Sequence, residues 1–215
     1  MVVFVVVLND AERRIPVQYS KKMVGRKMVG GQASNIPLKV NTAGVMPVIF
    51  ASSIMSFPVV IAQFFTVDYS SIGGKILTML NSGSWCKPSQ PIYSVGLIIY
   101  IVLLFMFAYF YTSITFNPLE VANNMKKQGG FIPGIRPGKP TSDYLNKILN
   151  YIVFIGAVGL TIVAIVPILA SGLLDVSRIS FSGTSLIIIV GVVLETIKAV
   201  ESQMLVRYYK GFLND

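Results

Sequence analysis

The chain alternates between charged segments and long uncharged ones. Four intervals lack Asp, Glu, Lys and Arg altogether: Lys39 to Asp68, Lys87 to Glu120, Lys147 to Asp175 and Arg178 to Glu195. An α-helix needs roughly 20 apolar residues to cross the hydrocarbon core of a bilayer. The pattern therefore predicts four transmembrane helices, at 41–65, 91–115, 147–169 and 183–204. The last of them must continue past Glu195 into the interface to be long enough.

The first residues form a separate apolar run. Residues 1–8 read MVVFVVVL, which is too short to span a bilayer. The run has neither a positively charged start nor a small-residue cleavage site, so it does not resemble a signal peptide. We expect it to be the end of a transmembrane helix whose beginning is missing from this sequence.

Residues 9–40 show a different periodicity. Apolar side chains recur at every second position in two runs, Ile15–Val17–Tyr19 and Ile36–Leu38–Val40. A period of two is typical of β-strands, and the glycines at 25, 30 and 31 mark turns between the runs. The pattern predicts a β-hairpin that projects from the membrane, with Arg26 and Lys27 near its tip. The loop at 116–146 is dense in Pro and Gly after Gly129, which predicts irregular structure there.

Composition agrees with a membrane protein. The 215 residues are 53% hydrophobic and 13% charged, whereas about a quarter of the residues in a soluble domain are charged. The mean hydropathy is +0.69. The fold class predicted is therefore an all-α polytopic membrane protein with a β-hairpin in one of its loops.

The net charge of +9 is concentrated in alternate loops. The loop at 9–40 holds seven Lys or Arg and the loop at 116–146 holds four, whereas the connections at 66–90 and 170–182 hold two and one. Basic loops stay on the cytoplasmic side of a membrane. We therefore predict that 9–40, 116–146 and the tail at 205–215 are cytoplasmic and that the other two loops are extracytoplasmic. A basic loop can be a topology signal only, or it can also bind an anionic partner.

Residue usage argues against catalysis and metal binding. Cys86 is the single cysteine and there is no histidine, which excludes an intrachain disulfide, His-ligated metals and His-based triads. No phosphate-binding glycine loop and no paired carboxylates are recognisable. We predict no catalytic residue, no metal, no cofactor and no enzymatic activity.

Small residues within the predicted spans have two interpretations. Ser52 and Ser56 fall on one helical stripe with Ser53 beside it, and such residues commonly mediate contacts between helices in a bilayer. The sharper interpretation is that this stripe lines a gate or an aqueous path. Gly156 and Gly159 are interpreted as close-packing sites rather than as hinges.

Four long segments resemble the SecY family, whose members form the channel of the Sec protein translocon. The similar segments are ERRIPVQYSKK at 12–22, IPLKVNTAGVMPVIFASSIMSFP at 36–58, YTSITFNPLEVANNMKKQGGFIPGIRPGKPT at 111–141 and SGTSLIIIVGVVLETI at 182–197. They occur in the family's order and cover essentially the whole chain. The resemblance implies the C-terminal half of a ten-helix channel.

The resemblance also implies roles for individual residues. Ile49 and Ile188 match the apolar ring that closes the family's pore. Ser52, Ser53, Ser56 and Phe57 lie on the helix at 41–65 that matches the lateral-gate helix. Arg26, Lys27 and Arg136 match the positions that dock the ribosome or the SecA motor.

The implied setting is the cell inner (plasma) membrane, with the C-terminus cytoplasmic. The implied partners are SecE and SecG, SecA, the ribosome through its RNA, signal sequences and nascent chains, the lipid bilayer, and the N-terminal half of the channel, whose first five helices are absent here. The alternatives are an inactive fragment or the half-channel of a small-solute transporter. A transporter should carry a charge at mid-membrane, and residues 40–67 have none.

Overall fold

The structure is a computed structural model of the chain. It describes residues 1–19, 22–24, 27–29, 33–65, 71–81, 83, 85, 91–174 and 183–211. The helices are α1 (Val2–Asp10), α2 (Met46–Ala62), α3 (Ile72–Leu80), α4 (Val95–Thr115), α5 (Pro118–Lys127), α6 (Lys139–Leu174) and α7 (Gly183–Gly211). The strands are β1 (Glu12–Tyr19), β2 (Lys22–Val24), β3 (Lys27–Val29), β4 (Ala33–Lys39) and β5 (Gly130–Phe131).

Two helical stretches are long and apolar enough to cross a membrane within the described part of the chain, Ile92–Lys127 and Lys139–Ala170. The predicted span at 41–65 forms α2, a shorter apolar helix of 17 residues. The predicted span at 183–204 lies in α7, which continues to Gly211. Which of these helices cross the bilayer, and in which direction, stays a prediction.

The two strands predicted from the period-two runs are present and pair with each other. β1 runs antiparallel to β4, with Ile15 opposite Ile36 and Val17 opposite Ser34. Ile15 and Val17 are buried, whereas Arg14, Pro16 and Gln18 are exposed. One face of the pair therefore covers a core and the other faces outward, as the alternation predicted. β2 and β3 form a separate two-stranded ladder.

The structure corrects one expectation about the loops. Irregular structure was predicted after Gly129, but the segment there contains strand β5 and the first turns of α6, and helix α5 precedes it. The segment at 66–90 contains α3. The predicted span at 147–169 lies within α6, a longer helix that begins at Lys139. Lys139, Asp143 and Lys147 are exposed on this helix.

The chain divides into two compact units. One comprises Met1–Asn9, Ser52–Tyr100 and Ile162–Asp215, and the other comprises Asp10–Ala51 and Ile101–Thr161. The first unit buries, among others, Val5, Leu8, Met55, Trp85, Tyr100, Val163 and Ile187. The second unit holds the three-stranded sheet, α5, most of α4 and the first part of α6, and it carries the two predicted basic loops.

Candidate functional site

The two basic loops, separated in sequence by residues 41–115, share one sheet. The strand order is β4–β1–β5, in which β5 pairs antiparallel with the end of β1. Tyr19 lies opposite Gly130, and a Cβ at residue 130 would come 2.9 Å from the Tyr19 ring. Only glycine leaves room for the ring at this point. The loops are therefore one structural element, which the sequence alone did not reveal.

A single hydrophobic core lies beneath this sheet, and we call it the loop core. Its buried members come from both loops and from α6: Ile15, Val17, Leu38, Met125, Ile132, Leu145, Ile148 and Ile152. Val17 and Leu145 are fully buried. Burial of a large apolar side chain contributes about 1.5–3 kcal/mol. The loop core therefore fixes the sheet on the N-terminal turns of α6.

Helix α5 begins and ends with recognisable capping groups. The Asn117 side chain accepts hydrogen bonds from the backbone N–H groups of Leu119 and Glu120, at 3.1 and 3.4 Å. Pro118 occupies the first turn, where its missing N–H costs nothing. Lys126 and Lys127 occupy the last turn, where positive charge is favoured by the helix dipole. Both lysines are exposed.

Arg136 projects from a tight turn that is anchored on both sides. Ile132 is a member of the loop core and Ile135 packs against it. The Thr141 hydroxyl donates a hydrogen bond to the Arg136 carbonyl at 2.9 Å. Gly134 and Gly138 have φ of +84° and +105°, a backbone conformation that favours glycine. The loop core and the Thr141 hydrogen bond hold the backbone of this turn, and the Arg136 side chain is exposed.

The hairpin tip is described only in part. The backbone of Lys27 lies in β3, and Arg26 lies outside the described residues. At the base of the hairpin, the Arg14 guanidinium and the Glu12 carboxylate form an exposed ion pair at 2.7 Å. The predicted docking role of Arg26, Lys27 and Arg136 stays a prediction.

Helix α2 presents two different faces. Val48, Ala51 and Met55 are buried and define one face. Ile49, Ser53, Ser56 and Phe57 are exposed, at spacings of three, four and seven residues that bring them onto one side. Ser52 is partly buried, at the border between the two faces.

Ile49 and Ile188, the predicted ring residues, lie in different compact units, and their side chains are 37% and 39% exposed. Both are uncharged branched residues on apolar helices, which suits a seal that offers no hydrogen bond to a passing chain. Among the described residues, no three His, Cys, Asp or Glu side chains are grouped so that they could hold a metal ion.

Sequence reasoning missed two features of the site and one feature of the other compact unit. The two-residue strand β5 is too short to show a period. The N-cap of α5 was visible as Asn117–Pro118 followed by Glu120, a usual helix start. Trp85 received no explanation from sequence. It is buried, its indole N–H donates to the Met79 carbonyl at 2.6 Å, and its ring lies 5.6 Å from that of Tyr100.

The family model and the curated relatives that this chain matches point to the same protein family. The SecY family model matches residues 1–197. The protein translocase subunit SecY of Streptomyces galbus is 50% identical over 221 residues, which cover 99% of this chain and 47% of that protein. The same subunit of Mycobacterium bovis is 46% identical over 218 residues, covering 99% and 48%. The chain spans about half the length of the curated relatives it matches.

Two solved structures share the fold. One, described as "The structure of a protein conducting channel", has a TM-score of 0.55 and 19% identity, covering 92% of this chain and 46% of that one. The other concerns the plug domain of the SecY protein and its closed channel, with a TM-score of 0.56, 19% identity and the same coverage. At this identity the likeness shows the fold alone.

Proposed function

This chain belongs to the SecY family, and we propose that it forms the C-terminal half of a protein-conducting channel. As a family member it is a membrane protein. The complete ten-helix channel would move secretory polypeptides across the inner membrane and release membrane proteins sideways into it. The chain would act together with the N-terminal half, with SecE and SecG, and with SecA or a ribosome on the cytoplasmic side. Signal sequences and nascent chains would be its substrates.

The main support for this proposal is that both basic loops pack on the same loop core. A topology signal needs only positive charge, whereas here the loops share a sheet and a buried core. A rigid, exposed, cationic surface suits an anionic partner such as ribosomal RNA or an acidic motor surface. We infer that the joined loops form a docking surface to which the exposed Arg136 contributes, and we assign the same docking role to Arg26 and Lys27.

Helix α2 supports the channel part of the proposal. Its exposed side carries Ile49 together with Ser53, Ser56 and Phe57, which suits a helix that lines a polypeptide path and a lateral gate. β4 leads directly into α2 through the turns at 40–45. Movement of the docking surface would therefore reach the gate helix through a short connection. No Asp, Glu, Lys or Arg lies within α2, so nothing there favours the alternative of a small-solute transporter.

Reversing the charge of Arg136 should impair motor-driven export. In the assembled channel, we expect Arg136→Glu to slow SecA-dependent translocation of a purified preprotein by at least about tenfold, because breaking a specific charged contact commonly costs 2 kcal/mol or more. The measurement is the initial rate of preprotein protection in vesicles. Channel abundance should not change, because the side chain is exposed.

Two variants serve as controls for Arg136. Lys139→Glu makes the same change of charge at an exposed residue of the same loop, and should stay near the parental rate. Arg136→Lys keeps the charge but loses the planar guanidinium group, so its translocation rate should lie between the parental rate and that of Arg136→Glu. Equal rates for Arg136→Glu and Lys139→Glu would mean that only the net charge of the loop matters.

Making the proposed ring polar should open a leak. We expect Ile49→Asn combined with Ile188→Asn to raise ion flux through the resting channel severalfold, because an apolar constriction excludes ions by dewetting. The measurement is conductance in a planar bilayer without preprotein. Ile54→Asn with Ile189→Asn is the matched control: both residues are exposed on the same helices, near the proposed ring residues in sequence. A leak in both pairs, or in neither, would count against the ring assignment.

A further inference from the structure

Helix α3 is an amphipathic helix that the proposed channel function does not explain. It lies in the connection between α2 and α4, and its nine residues read IGGKILTML. Gly74 is buried, whereas Ile72 and Ile76 are 78% and 52% exposed. The two isoleucines are one turn apart, on the side opposite Gly74. An isolated helix of this length is marginal in water, so contacts with its surroundings must hold it.

Trp85 and Gly96 hold α3 against the start of α4. The Trp85 indole donates its N–H to the carbonyl of Met79, in the last turn of α3. Gly96 is the second residue of α4, and any Cβ there would collide with the Met79 carbonyl and the indole nitrogen. The Trp85 ring also packs on Tyr100, one turn further along α4. These contacts lie within one compact unit.

This attachment sets the depth of α3. α4 belongs to an apolar stretch that is long enough to cross a membrane and begins at Ile92. Because α3 is tied to the first turn of α4, it lies at the level where that stretch enters the bilayer. Apolar side chains are also exposed around the start of α4, at Ile92 just before the helix and at Val95 and Ile98 in its first turn. The exposed face of α3 therefore lies at the same depth as the exposed apolar side chains at the start of α4, which suit contact with lipid.

We propose that α3 is an interfacial helix, with Ile72 and Ile76 inserted among the headgroups and upper acyl chains of the leaflet and with Lys75 on lipid phosphate. Helices with an apolar face and a basic flank lie in the plane of the interface in this way. Lys75 is exposed and within one turn of both isoleucines, and its long stem allows the ammonium to reach the headgroups. Trp85 acts as a positioning residue that sets the angle of the helix. This goes beyond the translocation role and rests only on the chain's membrane placement.

The test measures depth with a fluorophore. In a Cys86→Ser background, Ile72→Cys and Ile76→Cys are labelled with an environment-sensitive dye in the assembled complex, in vesicles of phosphatidylglycerol and phosphatidylcholine. Met106→Cys, at an exposed position in the middle of α4, serves as the control for the acyl region, and Lys127→Cys serves as the control for water. We expect both α3 labels to be quenched most by nitroxide lipids whose spin label lies near the headgroup, and the Met106 label to be quenched most by those labelled deep in the chain.

Two outcomes would overturn the proposal. Labels on α3 that iodide quenches as strongly as at Lys127 would place the helix in water. Labels shielded from both iodide and nitroxide lipid would mean that a protein covers this face. Either result would leave the translocation role intact, since the readout involves no preprotein.

Variants of the attachment and of the charge sharpen the test. Gly96→Ala removes the space for the Met79 carbonyl, and Trp85→Phe removes the N–H donor but keeps an aromatic ring. Both variants should increase the quenching of the α3 labels by iodide and leave the Met106 label unchanged. Lys75→Gln should lower the ratio of lipid-exposed to water-exposed label about fivefold in phosphatidylglycerol vesicles and little in pure phosphatidylcholine. If none of the three variants altered the quenching of the α3 labels, the proposed geometry would be wrong.

Discussion

Replacing Leu145 by alanine is expected to destabilise the joined loops by about 2–5 kcal/mol, the usual cost of a large cavity in a core. Leu145 is fully buried in the loop core, where α6 meets the residues of both loops. The cavity would weaken the only large apolar contact that fixes the sheet to α6 within the described residues of that unit. We expect amide exchange in β1 and β4 to accelerate by about 30-fold or more, as measured by hydrogen–deuterium exchange on the detergent-solubilised complex.

Leu119 provides a matched control for Leu145. It lies on α5 in the same unit, and its side chain is 55% exposed. Leu119→Ala removes the same atoms without creating a buried cavity, so its effect should stay within about 0.5 kcal/mol. If the two variants exchanged at the same rate, the loop core would not be what holds the loops together. Under the proposed function, Leu145→Ala should also lower SecA-dependent translocation without opening an ion leak.

Adding a side chain at Gly156 should disturb the connection to the gate helix. Gly156 lies on α6, and a Cβ there would overlap the Val40 carbonyl oxygen. The Val40 N–H donates to the Ala11 carbonyl at 2.8 Å, and the Thr42 hydroxyl donates to the Lys39 carbonyl at 2.6 Å. Because these bonds restrain the backbone on both sides, it cannot yield easily. We expect Gly156→Ala to cost about 1–3 kcal/mol, as overpacking usually does, and Gly156→Leu to cost more.

The thermal midpoint of the purified complex measures this effect, and it should fall by several degrees for Gly156→Ala. Gly73→Ala is the control, because Gly73 is a helical glycine with nothing within 4 Å of the added Cβ. Alanine is the better helix former, so Gly73→Ala should be neutral or slightly stabilising. Equal midpoints for the two variants would show that the backbone at Val40 moves freely away from α6.

Features that depend on the local spacing of apolar residues could be predicted from the sequence. The apolar runs predicted helices, and α4 and α6 have the length and apolarity of membrane spans. The alternation at Ile15 and Val17 predicted a strand with one buried face, which β1 has. Gly156 was predicted to be a site of close packing, and the Val40 backbone lies against it. In each case the pattern reflects which side of one element is buried.

Features were missed where burial depends on a distant partner. The first turns of α6, before the predicted span at 147–169, were not foreseen, because their exposed charges carry no sign that Leu145 and Ile148 are buried. Helix α3 contains two glycines and was not foreseen either, since it is held by Trp85 and the first turn of α4. The candidate site, too, could be predicted only in part. The resemblance assigned roles to Ile49, Arg136 and the α2 serines, but it did not reveal that the two basic loops form one element.

The sequence by itself determined the membrane class, the long apolar helices α2, α4, α6 and α7, the strands β1 and β4 and the family, because each depends on periodicity or on long local motifs. Only the tertiary structure joined the two basic loops through β5 and the loop core, seated Trp85 on α3 and brought Val40 against Gly156. The first and the last of these contacts connect residues far apart in the chain, and the Trp85 contact joins two elements across a turn. They depend on side-chain shape and on a few missing Cβ atoms, which leave no period along the sequence.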